Sequence, residues 1–227
     1  MNKIIKLTIL LFLSLQVFFI YQATKENTIK LLAIGDGLSL GINSYGIENY
    51  GYIDYYKDYL KENHQQVEVI NNSTKDLSIS NLLTILKNTP EIKRDLTEAH
   101  ILILTIGYND LIYQLSLDEN LNDNELNHIT NIINNNYQQL ITEIRKYYKE
   151  KIIVVGYFKS NKDNYYLNKG IRNLNNILKS NDEITYIDTY NLLNNRKKYF
   201  SNPTSYYPNN EAYKAISNKI ISKTLEK

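Results

Sequence analysis

The chain has 227 residues, of which 43% are hydrophobic and 22% are charged, which suits one α/β domain with a full core. Its net charge is +2 and its one dense basic cluster is Arg196, Lys197 and Lys198, a pattern that argues against a nucleic-acid partner. The absence of cysteine excludes disulfides, thiol nucleophiles and zinc–thiolate sites, and three widely separated histidines disfavour a metal site.

The N-terminal segment, residues 1–24, has the pattern of an export signal. Lys3 and Lys6 precede an uncharged, largely apolar stretch that runs from Leu7 to Thr24. At about 18 residues this stretch is near the lower limit for spanning a bilayer, and no A-x-A-like cleavage site follows it. We therefore expect a signal anchor that holds the protein at the membrane, facing outside the cytoplasm, or a cleaved signal peptide that leaves it secreted.

Residues 25–227 show short apolar runs that alternate with helical patterns. Strands are predicted at IKLLAIGD, QVEVIN, HILILTIG, KIIVVGYF and ITYIDTY. Helices are predicted at YIDYYKDYLKEN, at residues 78–88 and 123–150, at YYLNKGIRNLNNILKS and at the C-terminal NNEAYKAISNKIISKTLEK. This alternation predicts one α/β domain with a parallel sheet and helices on both of its faces.

Three short motifs lie next to predicted elements. The first strand ends in GDGLSLG, residues 35–41, the third is followed by GYND, residues 107–110, and TSYYPNNEAYKAI, residues 204–216, leads into the last helix. Binding sites in open parallel sheets form beyond the carboxyl ends of the strands. The first two motifs are therefore predicted to face one crevice.

In this order, the three motifs resemble those of the SGNH/GDSL hydrolase family, G-D-S-L-S-x-G, G-x-N-D and D-x-x-H-P-N-x-x-G-Y-x-x-I. The resemblance implies the SGNH hydrolase fold, a three-layer α/β/α sandwich with a flavodoxin-like, five-stranded parallel sheet of order 2-1-3-4-5. It also implies a serine nucleophile activated by a histidine that an acid orients. Here those three positions carry Gly37, Tyr207 and Thr204. Glycine offers no nucleophile, and tyrosine, with a pKa of about 10, is a poor general base at neutral pH. We therefore expect a pseudoenzyme or binding module at the cell envelope, for an acylated glycan or a lipid.

The family's oxyanion site is implied to combine the N–H of the nucleophile, a glycine N–H after strand two and the asparagine of G-x-N-D. Asn109 matches that asparagine, whereas the best register of INNSTKDLSISNLL places Asp76 at the glycine. A carboxylate there would oppose a developing oxyanion. Asn109 could contact a ligand or tie the loop after strand three to the first loop, and both interpretations stay open.

Other residues of the crevice also admit two interpretations. Ser39 could be a displaced nucleophile or a hydroxyl that hydrogen-bonds within the turn, and Asp36 could serve acid–base chemistry or accept neighbouring backbone N–H groups. Tyr207, with Tyr206, could form an aromatic wall for a ligand or pack on the last helix. An atypical ester or carbohydrate-ester hydrolase therefore remains an alternative, with Ser39 as nucleophile or a water held by Asp36 or Asp76.

A nucleotide-binding flavodoxin-like protein is the second alternative. The glycines of GDGLSLG are spaced G-x-G-x-x-x-G, which differs from the dinucleotide pattern G-x-G-x-x-G. We therefore expect no nucleotide cofactor. The lack of cysteine and the scattered histidines lead us to expect no metal. The expected partners are a small acylated or glycan ligand and, through the N-terminal segment, a membrane; the sequence does not indicate an oligomeric state.

Overall fold

Five parallel strands form the centre of the protein. The computed structural model describes residues 3–26, 28–63, 66–117, 121–159, 164–201 and 205–225. Its strands lie in the order β2-β1-β3-β4-β5, and every neighbouring pair is parallel. The predicted sheet and its order are thereby confirmed. The strand bounds are β1 Thr28–Gly35, β2 Gln66–Asn71, β3 Ile101–Thr105, β4 Ile152–Val155 and β5 Ile184–Ile187.

Helices cover both faces of this sheet. Their bounds are α1 Lys3–Glu26, α2 Tyr52–Glu62, α3 Ile79–Asn88, α4 Pro90–Glu98, α5 Tyr108–Ser116, α6 Asp123–Ile144, α7 Tyr165–Lys179, α8 Thr189–Leu192, α9 Arg196–Tyr199 and α10 Asn210–Leu225. Side chains of α3 to α7 pack in one apolar cluster, and those of α2 and α10 pack in another.

The central strand β1 shows why the sequence gives three layers. Leu32 and Ile34 point to the cluster with α3 to α7, whereas Leu31 and Ala33 point to the cluster with α2 and α10. All four side chains are buried, since helices cover both faces of a parallel sheet. A continuous apolar run, rather than an alternating one, is the result, and the three-layer α/β/α class is confirmed.

Four of the described helices were not predicted from the sequence: α4, α5 and the one-turn helices α8 and α9. In α4, Pro90 occupies the first turn, where its missing N–H is tolerated. In α5, Gly107 takes a left-handed conformation with φ of 116° and the helix starts immediately after it, within the GYND motif. The long helix α6 ends at Ile144 rather than near residue 150, because the chain turns there and buries Tyr148 against β3.

The N-terminal helix α1 differs from the rest of the chain in its exposure. Its side chains from Leu7 to Phe19 are exposed. Among the helices described, none has the combination of length and apolar character that crossing a membrane requires. The division into residues 1–24 and 25–227, and the export of the protein, stay predictions.

Candidate functional site

A cavity of about 390 Å³ opens at the carboxyl ends of the strands. The segments after β1, β2, β3 and β4 contribute to it, together with the segment that precedes α10. Five aromatic rings dominate its wall, and the polar groups are few. Its lining residues are Asp36, Gly37, Leu38, Lys75, Tyr108, Asn109, Ile112, Tyr157, Phe158, Tyr206 and Tyr207. The topology thus brings parts of all three sequence motifs to one place.

The loop after β1 is a compact turn fixed by its own backbone. The Asp36 N–H donates to the Thr105 carbonyl at 3.1 Å, which ties the loop to the end of β3. Within the turn, the Ser39 N–H donates to the Asp36 carbonyl at 3.0 Å and the Ile42 N–H donates to the Gly37 carbonyl at 3.1 Å. The Gly37 N–H has no hydrogen-bond partner among the described residues, and Gly37 lines the cavity. A backbone donor is therefore available to a ligand there.

Gly37 and Tyr207 lie against each other. A Cβ atom at position 37 would lie 2.9 Å from two ring carbons of Tyr207, and the Tyr207 hydroxyl would be closer still. Real Cβ atoms essentially never approach other atoms so closely. The phenol of Tyr207 therefore occupies the space that any side chain at position 37 would enter.

The backbone of Tyr207 is held by two serines. Ser44 Oγ donates to the Tyr207 carbonyl at 3.1 Å, and the Tyr207 N–H donates to Ser205 Oγ at 3.0 Å. Burial raises the pKa of the Tyr207 phenol to about 12, and the negative charges of Asp36 and Asp76 add to this effect. The phenol is therefore protonated at neutral pH, where it can donate a hydrogen bond but cannot act as a base.

Asp36 is buried at the base of the cavity. Its Oδ1 accepts from the Leu38 N–H at 3.0 Å and its Oδ2 accepts from the Tyr157 hydroxyl at 2.6 Å. Burial raises the pKa of this carboxyl to about 6, although both hydrogen bonds oppose the rise. The predicted bond to a neighbouring backbone N–H is present, and the second oxygen is used by a tyrosine.

The Asn109 side chain is committed to a neighbouring loop. Its Nδ2 donates to the carbonyls of Lys75 and Leu77 at 3.2 Å and 3.0 Å. Of the two interpretations left open, a tie between loops is present, but its partner is the loop after β2 rather than the first loop. Asp110 reinforces this tie by accepting the Ile79 N–H at the start of α3. Both N–H groups of the Asn109 amide are used by these two bonds, which argues against an oxyanion role. The residue still lines the cavity.

Ser39 lies beneath the turn rather than in the cavity. Its side chain is 2% exposed, and its hydroxyl lies 2.8 Å from the Tyr52 hydroxyl, which in turn lies 2.7 Å from Thr105 Oγ1. A Cβ atom at Gly35 would collide with the Ser39 hydroxyl, which shows how tightly this space is filled. The geometry favours the hydrogen-bonding interpretation of Ser39.

The two remaining predicted positions lie outside the cavity or outside the described residues. Asp76 is exposed and lines a second groove next to the cavity rather than the cavity itself. Thr204 falls outside the described residues. Within the described ranges, no three His, Asp or Glu side chains cluster closely enough to hold a metal ion.

Tyr157 and Tyr108 are among the cavity residues that the sequence analysis did not assign to the site. Their rings stack with centroids 5.2 Å apart, and Tyr157 makes the hydrogen bond to Asp36. Asn175 fixes Tyr157 through two bonds, accepting its N–H at 2.9 Å and donating to its carbonyl at 2.7 Å. Tyr157 is the second residue after the end of β4, so the rule that sites form at the carboxyl ends of strands could have identified it.

Comparison with known proteins finds one family over most of the chain. The model of the GDSL-like lipase/acylhydrolase family matches residues 31–220. The spore germination lipase LipC of Bacillus licheniformis is 26% identical over 203 residues, which cover 85% of this chain and 95% of that protein.

Solved structures show the same architecture. The lipase Lip_vut3 from a goat rumen metagenome superposes with a TM-score of 0.74 at 24% identity, covering 86% of this chain and 97% of that one. A catalytic mutant of the acetylxylan esterase Axe2 from Geobacillus stearothermophilus gives a TM-score of 0.65 at 17% identity, covering 86% and 93%. At these identities the likeness establishes the fold alone.

Proposed function

Because this chain belongs to the GDSL-like lipase/acylhydrolase family, we propose that it is a member without the family's serine-esterase chemistry. In this proposal it binds an acylated glycan or a lipid at the cell envelope and does not cleave it. The contact between Gly37 and Tyr207 carries the proposal, since the phenol fills the space beside a residue that has no nucleophile.

The state of the nearby hydroxyls supports the absence of hydrolysis. The Tyr207 phenol, with its pKa raised to about 12, stays protonated and is neither a base nor an effective nucleophile at neutral pH. Ser39 is buried under the turn and hydrogen-bonded to Tyr52, so it is poorly placed to act as a displaced nucleophile. Asp36 is 5% exposed and each of its oxygens already accepts a hydrogen bond, so little of this carboxylate is accessible to an attacking water.

The character of the cavity supports an acyl ligand. Ligand pockets are mostly apolar with a few placed polar groups, and the aromatic wall around Tyr108, Tyr157 and Phe158 has this character. The Gly37 N–H offers a donor to a carbonyl oxygen at the same place. The relatives point to the same ligand class, because one is named a lipase and another an acetylxylan esterase.

Envelope location rests on the N-terminal segment. The two lysines, Lys3 and Lys6, followed by an apolar stretch are typical of an export signal. In α1 the apolar side chains from Leu7 to Phe19 are exposed, as a segment that meets lipid requires. The proposal places the cavity outside the cytoplasm, either tethered or secreted.

The test is ester hydrolysis by the full chain in detergent, on short aryl acetates, beside Ser39→Ala. We expect no turnover above buffer for either protein. Turnover that disappears in Ser39→Ala would contradict the proposal and identify a displaced nucleophile. Turnover that survives in Ser39→Ala would contradict it in favour of a water mechanism through Asp36 or Asp76.

A restored triad sharpens this test. The variant Gly37→Ser/Thr204→Asp/Tyr207→His introduces the residues of the family motifs at the three substituted positions. It also removes the Tyr207 phenol from the space beside position 37. We expect aryl acetate turnover from this variant and none from its matched control, Gly37→Ala/Thr204→Asp/Tyr207→His.

A colourless wild-type preparation that shows no thermal shift with FMN would exclude the nucleotide-binding alternative.

A further inference from the structure

A second groove, of about 660 Å³, lies between α3, α5 and α6. It adjoins the aromatic cavity, and Asn109 and Ile112 line both spaces. A ligand that enters the cavity can therefore continue along this groove without leaving the protein surface.

Neutral hydrogen-bonding groups and apolar side chains together line the groove, the apolar ones being Ile112, Tyr113, Ile132 and Ile133. Its charged lining residues are Asp76 and Asp110, and Asp110 is already bonded to the Ile79 N–H. Lys and Arg do not occur among its lining residues, so phosphates and polyanions have no cation to pair with there. The neutral polar side chains are Ser78, Ser80, Asn81, Asn109, Gln114, Ser116 and Asn136.

Three side-chain amides converge on the groove from three helices. Asn81 comes from α3, Gln114 from α5 and Asn136 from α6, and none of these amide groups has a hydrogen-bond partner among the described residues. An amide both donates and accepts, so it matches a sugar hydroxyl or a pair of adjacent hydroxyls. The serine hydroxyls are already used within the protein, since Ser78 pairs with Ser80 at 3.1 Å and Ser116 donates to the Tyr113 carbonyl at 2.7 Å. An acyl chain would leave the three amides without partners.

Tyr113 presents a flat apolar surface beside these polar groups. It is 61% exposed on α5 and lines the groove beside Gln114. A tyrosine ring provides a flat apolar face with a polar edge, and the C–H face of a sugar ring can pack on it. A flat ring combined with convergent neutral amides is suited to a carbohydrate.

We infer that this groove binds an uncharged oligosaccharide strand whose end reaches the aromatic cavity. The inference deepens the proposed function, since the groove continues the same site, and it assigns the glycan part of the ligand to α3, α5 and α6. The acyl part would then occupy the cavity next to Gly37.

The inference is tested by calorimetric titration of the full chain, in a detergent without a sugar headgroup. The probes are uncharged hexasaccharides of glucose, xylose and N-acetylglucosamine, with a sulfated hexasaccharide as the charged comparison. We expect at least one uncharged probe to bind and the sulfated probe not to bind. Gln114→Ala, Asn136→Ala and Tyr113→Ala should each raise Kd by about threefold to tenfold.

Matched variants keep the test specific. Asn135→Ala removes an exposed amide from the position next to Asn136, and Tyr45→Ala removes a tyrosine that is 80% exposed; neither residue lines the groove. Both should leave Kd unchanged. The inference is overturned if no uncharged probe binds, if the sulfated probe binds as tightly, or if groove and control variants behave alike. Ester turnover would overturn the proposed function alone, and absence of glycan binding without turnover would overturn this inference alone.

Discussion

The phenol of Tyr207 occupies the space above Gly37, so that a Cβ atom at position 37 would lie 2.9 Å from two of its ring carbons. The backbone does not impose glycine at this position, because the glycines with positive φ are Gly41, Gly46 and Gly107. The constraint on position 37 therefore comes from one side chain, 170 residues away in sequence, and the two positions are expected to be energetically coupled.

This coupling predicts that the effect of Gly37→Ala on the free energy of unfolding changes when Tyr207 is removed, which a double-mutant cycle measures. Gly37→Ala should lower the free energy of unfolding by about 1–2 kcal/mol, because the new methyl group displaces the Tyr207 ring. In a Tyr207→Ala background the same change should be neutral or stabilising by up to about 1 kcal/mol, since alanine restricts the unfolded chain. Urea denaturation of the four proteins measures both values.

Gly41 provides the control for that cycle. It has φ of 68°, and a Cβ atom there would collide with backbone atoms of Asn49 and Gly51 rather than with a side chain. Gly41→Ala should therefore be destabilising to the same extent with either residue at position 207. Equal effects of Gly37→Ala in the two backgrounds would contradict the coupling.

Asp36 predicts a dependence of stability on pH. Its pKa is raised to about 6 in the folded protein, from an ordinary value of 3.8, because the carboxyl is buried. Between these two values the folded state binds more protons than the unfolded state, so stability falls as pH rises from about 4 to about 6. Above that range the stability contributed by the protonated Asp36 is fully lost, and this loss amounts to roughly 3 kcal/mol.

Asp36→Asn isolates this effect. The amide oxygen can still accept the Leu38 N–H, and the amide nitrogen can donate to the Tyr157 oxygen, so both contacts persist in a neutral side chain. Urea denaturation should show the variant more stable than the wild type by about 2–3 kcal/mol near pH 8, with the difference shrinking toward pH 4. A difference that is constant over this pH range would show that Asp36 does not titrate with a raised pKa.

Most of the fold follows from local sequence patterns. The strand runs such as KLLAIG and ILILT are apolar on both faces, as the strands of a covered parallel sheet are, and their alternation with helices indicates that sheet. The strand order followed from the family resemblance. The unpredicted helix α5 begins inside GYND, where the motif suggested a loop. Its start depends on the left-handed Gly107 and on packing of Leu111, neither of which a periodicity over a short window detects.

The site was predictable only in part. Strand ends and motif spacing brought Asp36, Gly37, Asn109 and Tyr207 to one crevice, since these depend on topology. The direction of each side chain depended on tertiary partners that the sequence does not indicate. Ser39 turns under the loop because the Tyr52 hydroxyl, itself bonded to Thr105, offers it a hydrogen bond there. Asn109 turns to the loop after β2 because two carbonyls face it.

Asn109→Ala should loosen the loop after β2. The change removes two hydrogen bonds to the carbonyls of Lys75 and Leu77 and should lower the free energy of unfolding by about 1–2 kcal/mol. Amide hydrogen exchange across residues 73–78 should become faster, while exchange in α10 stays unchanged. Protection of residues 73–78 equal to that of the wild type would show that Asp110 alone holds this loop.

Removal of the hydroxyl group should have opposite effects on stability at two buried tyrosines. The Tyr137 hydroxyl is buried in the core and has no hydrogen-bond partner among the described residues, whereas the Tyr148 hydroxyl accepts the Leu102 N–H at 3.1 Å. Tyr137→Phe removes a buried unpaired polar atom and should raise the free energy of unfolding by about 1 kcal/mol. Tyr148→Phe leaves a strand N–H without its partner and should lower it by about 1–2 kcal/mol. Urea denaturation at one pH compares them directly, and a loss of stability in Tyr137→Phe would mean that a buried water satisfies its hydroxyl.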